Sequence, residues 1–127
     1  MKKSTDKQDE IKRLFVIDDD SSIVDILLTM LSAENYDVDT FLTGRNAVEK
    51  AKKKKPDMII LDYFLRGETA EDTMEKLRAV AGEDLPVILM SASVQGERLA
   101  KQLPISEFIP KPFHRQVLLA AIDRNIK

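Results

Sequence analysis

Cysteine is absent from the chain, which excludes disulfides, thiolate nucleophiles and cysteine-ligated zinc. One histidine, His114, is too little for a histidine-rich metal site and makes a Ser–His–Asp triad a poor fit; at the start of a helix it reads as an exposed residue. Charge of one sign is not in excess: 20 Lys and Arg stand against 22 Asp and Glu, a net −2 that gives no electrostatic reason for nucleic-acid binding. No apolar run approaches the roughly 20 residues that a bilayer crossing takes. The charged start, Met1-Lys2-Lys3-Ser4-Thr5-Asp6, has no apolar stretch behind it and is not a secretory signal. The expected location is the cytoplasm. Glycine and proline are sparse, so there are no flexible linkers, and 127 residues suit one domain with its own core.

What the chain does have is short apolar runs that end on polar groups. Leu14-Phe15-Val16-Ile17 leads into Asp18-Asp19-Asp20, Met58-Ile59-Ile60-Leu61 into Asp62, and Val87-Ile88-Leu89-Met90 into Ser91. Phe108-Ile109 leads into Pro110-Lys111-Pro112. Uninterrupted apolar runs of this length fit strands buried on both faces. Tyr36 to Phe41 alternates with period two, as an edge strand does. Strands are therefore expected at 14–18, 36–41, 57–62, 85–91 and 106–110.

Helical spacing fills the gaps. Asp20-Ser21-Ser22 caps a first helix with Ile23, Ile26, Leu27, Met30 and Leu31 on its inner face, stopped near Asn35. Residues 44–54 form a short helix with Ala47, Val48 and Ala51 inward, ending in the solvated run Lys52 to Lys55. Residues 69–81 form another, with Ala70, Met74, Leu77 and Ala81 on one stripe and Gly82 after it. A weak helix over 94–103 has Leu99, Ala100 and Leu103 as anchors, and the last, over 113–125, turns Phe113, Val117, Leu118, Ala121 and Ile122 inward. Residues 1–12 read as a loose arm and 13–127 as the domain. Strands alternating with helices imply an α/β, doubly wound, five-stranded parallel sheet with helices on both faces.

In such a sheet, ligands sit at the carboxyl ends of the strands. Asp18 and Asp19 there repel one another, and a divalent cation relieves the repulsion; Mg²⁺ needs only one or two protein carboxylates. Asp20 is better used as the helix cap. A carboxylate at the end of the most apolar strand, Asp62, is costly unless paired or bound to metal, and it suits a nucleophile that accepts a phosphoryl group. Lys111 would neutralise a phosphoryl oxygen, or pair with Asp62 when none is present, and Ser91 offers a hydroxyl donor.

Together, Phe15-Val16-Ile17-Asp18-Asp19-Asp20, Ile59-Ile60-Leu61-Asp62, Val87-Ile88-Leu89-Met90-Ser91-Ala92 and Phe108-Ile109-Pro110-Lys111-Pro112-Phe113 closely resemble the receiver domain of bacterial response regulators, over about residues 12–126. The resemblance implies a flavodoxin-like strand order 2-1-3-4-5. It implies Asp62 as phosphoacceptor and metal ligand, Asp19 as a direct Mg²⁺ ligand, Asp18 as a second or water-mediated one, and the backbone carbonyl of Phe64 as a further ligand, with Mn²⁺ able to substitute. It implies Ser91 and Phe108 as the switch pair, Lys111 on the phosphoryl oxygens, and a cis Lys111–Pro112 bond. The implied partners are a histidine kinase or phosphotransfer protein and a downstream protein at the face of the fourth helix, fifth strand and fifth helix, with no direct nucleic acid or membrane contact. The implied state is a monomer, with a phosphorylation-linked dimer as the alternative, and a protein that catalyses only its own phosphorylation and dephosphorylation.

Three positions depart from the pattern. The loop after Asp62 has Arg66-Gly67-Glu68-Thr69-Ala70 in place of the usual proline and Asp-Gly pair, leaving its rigidity open. The segment before the last strand is shorter than usual and reads Gln102-Leu103-Pro104-Ile105, which leaves the fourth helix and the surface it shares with the last strand open, and Phe108 lacks the hydroxyl of the commoner tyrosine. Two rival readings are a phosphorylation-independent module of the same fold and a haloacid-dehalogenase-type phosphatase built on Asp18-x-Asp20. The latter needs a further acidic motif after the lysine, where Asp123 is the sole acid.

Overall fold

The computed structural model describes residues 10–126; most of the arm expected at 1–12, residues 1–9, lies outside the described residues. Five strands, β1 (Arg13–Ile17), β2 (Asp37–Phe41), β3 (Met58–Asp62), β4 (Val87–Ser91) and β5 (Glu107–Pro110), pair in parallel in the order 2-1-3-4-5. Five helices alternate with them: α1 (Ser21–Ser32), α2 (Gly44–Ala51), α3 (Ala70–Ala81), α4 (Val94–Ala100) and α5 (Arg115–Asn125). A two-stranded antiparallel ribbon, Phe64–Leu65 with Glu68–Thr69, interrupts the path from β3 to α3. Among the described residues, no helix is long and apolar enough to cross a membrane.

The apolar runs are buried on both faces because successive side chains leave a strand on opposite sides. Phe15, Ile17, Ile59, Leu61, Val87 and Leu89 pack against α2, α3 and α4. Leu14, Val16, Met58, Ile60, Ile88 and Met90 pack against α1 and α5. One-residue slips of any central strand would exchange these two sets, so the register is strongly specified.

The helix ends follow the residue chemistry. Asp20 accepts from the Ser22 amide, Thr43 from Asn46, Thr69 from Asp72 and Ser93 from Gln95, each satisfying an otherwise unpaired amide of a first turn. Asn35 and Gly82 take positive φ where α1 and α3 stop. His114 sits exposed at the start of α5 without a side-chain cap.

Several inward assignments are corrected. In α1 the buried stripe is Val24, Leu27 and Leu31, Ile23 and Met30 are only partly covered, and Ile26 is exposed. In α4 the buried positions are Gly96 and Ala100, and Leu99 is exposed. In α5, Leu118, Ala121 and Ile122 face the core while Val117 is exposed. The helices expected to reach residues 54 and 103 stop at 51 and 100.

Candidate functional site

The register brings the polar strand ends together. Leu14 pairs with Met58 and Val16 with Ile60, so continuing by one step sets Asp18 beside Asp62 on the neighbouring strand. Like charges directly opposite each other are destabilising, and both are nearly buried, at 3% and 8% exposure. Carboxylate oxygens of Asp18, Asp19 and Asp62 lie within 4.8 Å of one another. A hard, all-oxygen donor set of this size fits Mg²⁺, which binds through few carboxylates and keeps several waters.

Lys111 is delivered by the turn after β5, where its amide donates to the Ser91 carbonyl and its bond to Pro112 is cis. Its Nζ donates to Asp18 Oδ2 at 2.6 Å and lies 3.5 Å from Asp62 Oδ1. The pairing expected with Asp62 is therefore shared, and Asp18 takes the shorter contact. Asp18 is the deeper carboxylate, and its other oxygen already accepts from the Asp20 amide at 2.9 Å, so both of its oxygens are satisfied. Asp62 has less: its Oδ1 accepts a long bond of 3.4 Å from the Phe64 amide. Burial, then the charge of Asp18, push Asp62 up to about 6, against the opposing pull of Lys111. Burial works to lower Lys111, but its hydrogen bond to Asp18 and the two carboxylate charges outweigh it and hold it above the ordinary lysine value.

Asp19 is half-open. Its Oδ2 accepts from the Arg66 amide at 3.3 Å and lies 3.7 Å from Arg66 Nε, whose side chain is otherwise in solvent. Asp20 is turned away as the α1 cap, so the Asp18-x-Asp20 pair of the phosphatase reading is not assembled.

Ser91 is buried at the carboxyl end of β4, its Oγ accepting from the Ser93 amide at 3.0 Å. Gly96 of α4 lies directly over it: a Cβ there would collide with Ser91 Oγ and meet Ser91 Cβ at 2.7 Å. The residue needed at this position was not evident from spacing; only a glycine inside a short helix, against its propensity, marks it. Gly96→Ala is expected to lower stability by about 1 kcal/mol, because an overpacking cost of about 1–3 kcal/mol exceeds the roughly 1 kcal/mol that alanine gains in a helix. Urea titration checks this, with Ser91→Gly in the same chain recovering part of the loss; a more stable Gly96→Ala would mean that α4 moves aside freely.

Phe64, with its ring half-exposed, makes an edge-on contact with Tyr63 at 4.7 Å between centroids. Phe108 is partly buried against the same cluster as Leu103 and Ile105. On the adjoining face, Arg124 makes two bonds to the Glu107 carboxylate at 2.8 and 2.7 Å, tying α5 to β5.

The family model described as response regulator receiver domain matches residues 14–123. Among solved structures, chemotaxis protein CheY4 of Vibrio cholerae superposes with a TM-score of 0.83 at 24% identity, covering 92% of this chain and 100% of that one. A CheY-like receiver domain protein from Methanospirillum hungatei gives 0.81 at 21% identity, over 91% and 93%. The signal receiver domain of a modulated diguanylate cyclase from Desulfovibrio desulfuricans gives 0.79 at 26% identity, over 92% and 94%.

Proposed function

This chain belongs to the response regulator receiver domain family of two-component signalling, and from there we propose that it accepts a phosphoryl group on Asp62 from the phosphohistidine of a kinase or phosphotransfer protein. Receiver domains are signalling domains rather than enzymes that turn over a free substrate, and they generally bind Mg²⁺ at an acidic pocket. The observation that carries the reading is the position of Asp62: nearly buried, beside two further aspartates, with an amine 3.5 Å away.

In the transfer, the N–P bond of the phosphohistidine breaks as an oxygen of Asp62 bonds to phosphorus, and the imidazole leaves. Positioning and charge neutralisation dominate such a step. Asp19, with Asp18, Asp62 and the Phe64 carbonyl, would hold Mg²⁺, or Mn²⁺ in its place. The ion when bound offsets charge on the cluster and on the phosphoryl oxygens. Lys111 needs only to turn from Asp18 and Asp62 to reach those oxygens. Asp62 must be ionised to attack, so without metal its reactivity declines below about pH 6. The added charge of about −1.5 to −2 would draw the Ser91 hydroxyl from the Ser93 amide, and Phe108 would turn into the space released. The α4–β5–α5 face would then change its preference for a downstream protein, and by linkage that protein would alter phosphoryl stability. This reading takes residues 13–127 as the receiver unit, preceded by an arm, working in the cytoplasm.

Intact mass after incubation with acetyl phosphate and Mg²⁺ tests it. One phosphoryl group is expected on the wild type, none on Asp62→Asn, and none with EDTA present. Equal gain by both proteins would place the acceptor elsewhere, and no gain from acetyl phosphate or a phosphorylated kinase would leave a phosphorylation-independent module.

A further inference from the structure

The ribbon that follows the acceptor carries Phe64 and Arg66 to the edge of the cluster, yet little of it is buried. Leu65 is its one core residue, while Phe64, Arg66, Gly67 and Thr69 are exposed. The turn at its tip is Arg66-Gly67, with Gly67 at φ +71, a left-handed conformation open to glycine at little cost. No proline stiffens this path. What holds its far strand is Glu68. One oxygen accepts from the Gly44 amide at 2.8 Å and the other from the Arg45 amide at 2.9 Å, so the carboxylate closes two of the unpaired amides that begin α2. The helix start it grips is packed closely on α3, since a Cβ on Gly44 would meet Thr73 Oγ1 at 2.6 Å. Leu65 pairs with Glu68 and Phe64 with Thr69, so the clamp is passed across the ribbon to the strand that bears Phe64. The same ribbon tip donates the Arg66 amide to Asp19.

We propose that Glu68 is a positioning residue for the metal end of the site: by fastening the ribbon to α2 it sets the Phe64 carbonyl and the Arg66–Asp19 contact in place. The inference rests on the reading of Asp18, Asp19, Asp62 and the Phe64 carbonyl as the groups that hold Mg²⁺.

The test is calorimetric titration of the full chain with MgCl₂, well below the melting temperature. Glu68→Ala is expected to weaken Mg²⁺ binding by on the order of tenfold, as loss of a supporting partner does, and Glu68→Gln, which keeps the shape and one acceptor oxygen, by less. Thr43→Ala removes the cap that α2 supplies for itself and is expected to lower the melting temperature while leaving Mg²⁺ affinity unchanged. Wild-type affinity in both Glu68 variants, or an equal loss in Thr43→Ala, would overturn the proposal. A wild type that binds no Mg²⁺ would instead overturn the metal reading beneath it, so the two failures are distinguishable.

Discussion

Lys111→Met is expected to lose about 3–5 kcal/mol of folding stability at pH 7.5 in metal-free buffer, the usual cost of removing one partner from a buried charge pair. The lysine side chain is 15% exposed, and the two carboxylates it faces, Asp18 and Asp62, are nearly buried. Methionine preserves the length and the packing, so the loss isolates the charge. Its pH dependence has a definite sign. Asp62 already sits at about 6 against an ordinary 3.8 with Lys111 present, and without that amine it rises further. A carboxyl raised in the folded state binds more protons there than in the unfolded chain, so stability falls as pH climbs through the interval between the two values. The deficit of Lys111→Met should therefore be smallest below about pH 6, where the folded Asp62 is protonated in both proteins and both lose stability in parallel, and should open above pH 6, where the wild-type carboxyl is ionised and the variant's is still protonated. Added Mg²⁺ should stabilise the variant more than the wild type, since the ion replaces the missing cation. Urea titrations at pH 4.5 and 7.5, with EDTA or Mg²⁺, measure all of this. A deficit that does not change with pH would assign the lysine a packing role only.

The same residues show how far the sequence could be read. The central strands declare themselves because each is apolar on both faces, and their order and the level of their carboxyl ends bring Asp18, Asp19, Asp62 and Lys111 together. The cap at Asp20 and the stops at Asn35 and Gly82 were legible for a similar reason: each is a local rule of backbone chemistry. The helix faces were not. Apolar residues surround most of α1, from Ile23 to Leu31, so periodicity alone could not choose Val24 over Ile26 as the core contact. In α4, small residues face inward because the helix lies so close to Ser91 that Gly96 fits and a larger residue does not; Leu99 is left outside. Contacts between segments far apart in the chain were also hidden. The preference of Lys111 for Asp18 depends on which oxygen the Asp20 amide leaves open, and the grip of Glu68 on α2 depends on where an unexpected ribbon turns. Proline's absence at Arg66 signalled a looser loop, and a carboxylate 24 residues from Gly44 supplies the restraint instead.

Asp62→Asn should be more stable than the wild type by about 3 kcal/mol at pH 7.5 in EDTA, even as it abolishes phosphoryl acceptance. The rise of Asp62 from 3.8 to about 6 is the free energy, about 3 kcal/mol, by which the folded protein disfavours its ionised form. Asparagine has nearly the same shape and carries no charge, so that cost disappears. The gain should vanish below about pH 4, where Asp62 is protonated in both the folded and unfolded chain, grow between about pH 4 and 6, and be complete above that range. Mg²⁺ should narrow the gap from the wild-type side, because the ion finds a weaker site once one of three carboxylates is gone. Equal stability of the two proteins at pH 7.5 would show that Lys111 and water already compensate the charge fully. Combining Asp62→Asn with Lys111→Met provides the decisive comparison. If the aspartate is held in an unfavourable ionised state mainly by burial and by Asp18, the double variant recovers a large part of what Lys111→Met alone loses, and the residual deficit belongs to Asp18, the carboxylate nearest the missing amine. Asp62 is then a residue whose proposed reactivity and whose cost to the fold share one physical origin: a charge kept at the end of an apolar strand, beside another of the same sign.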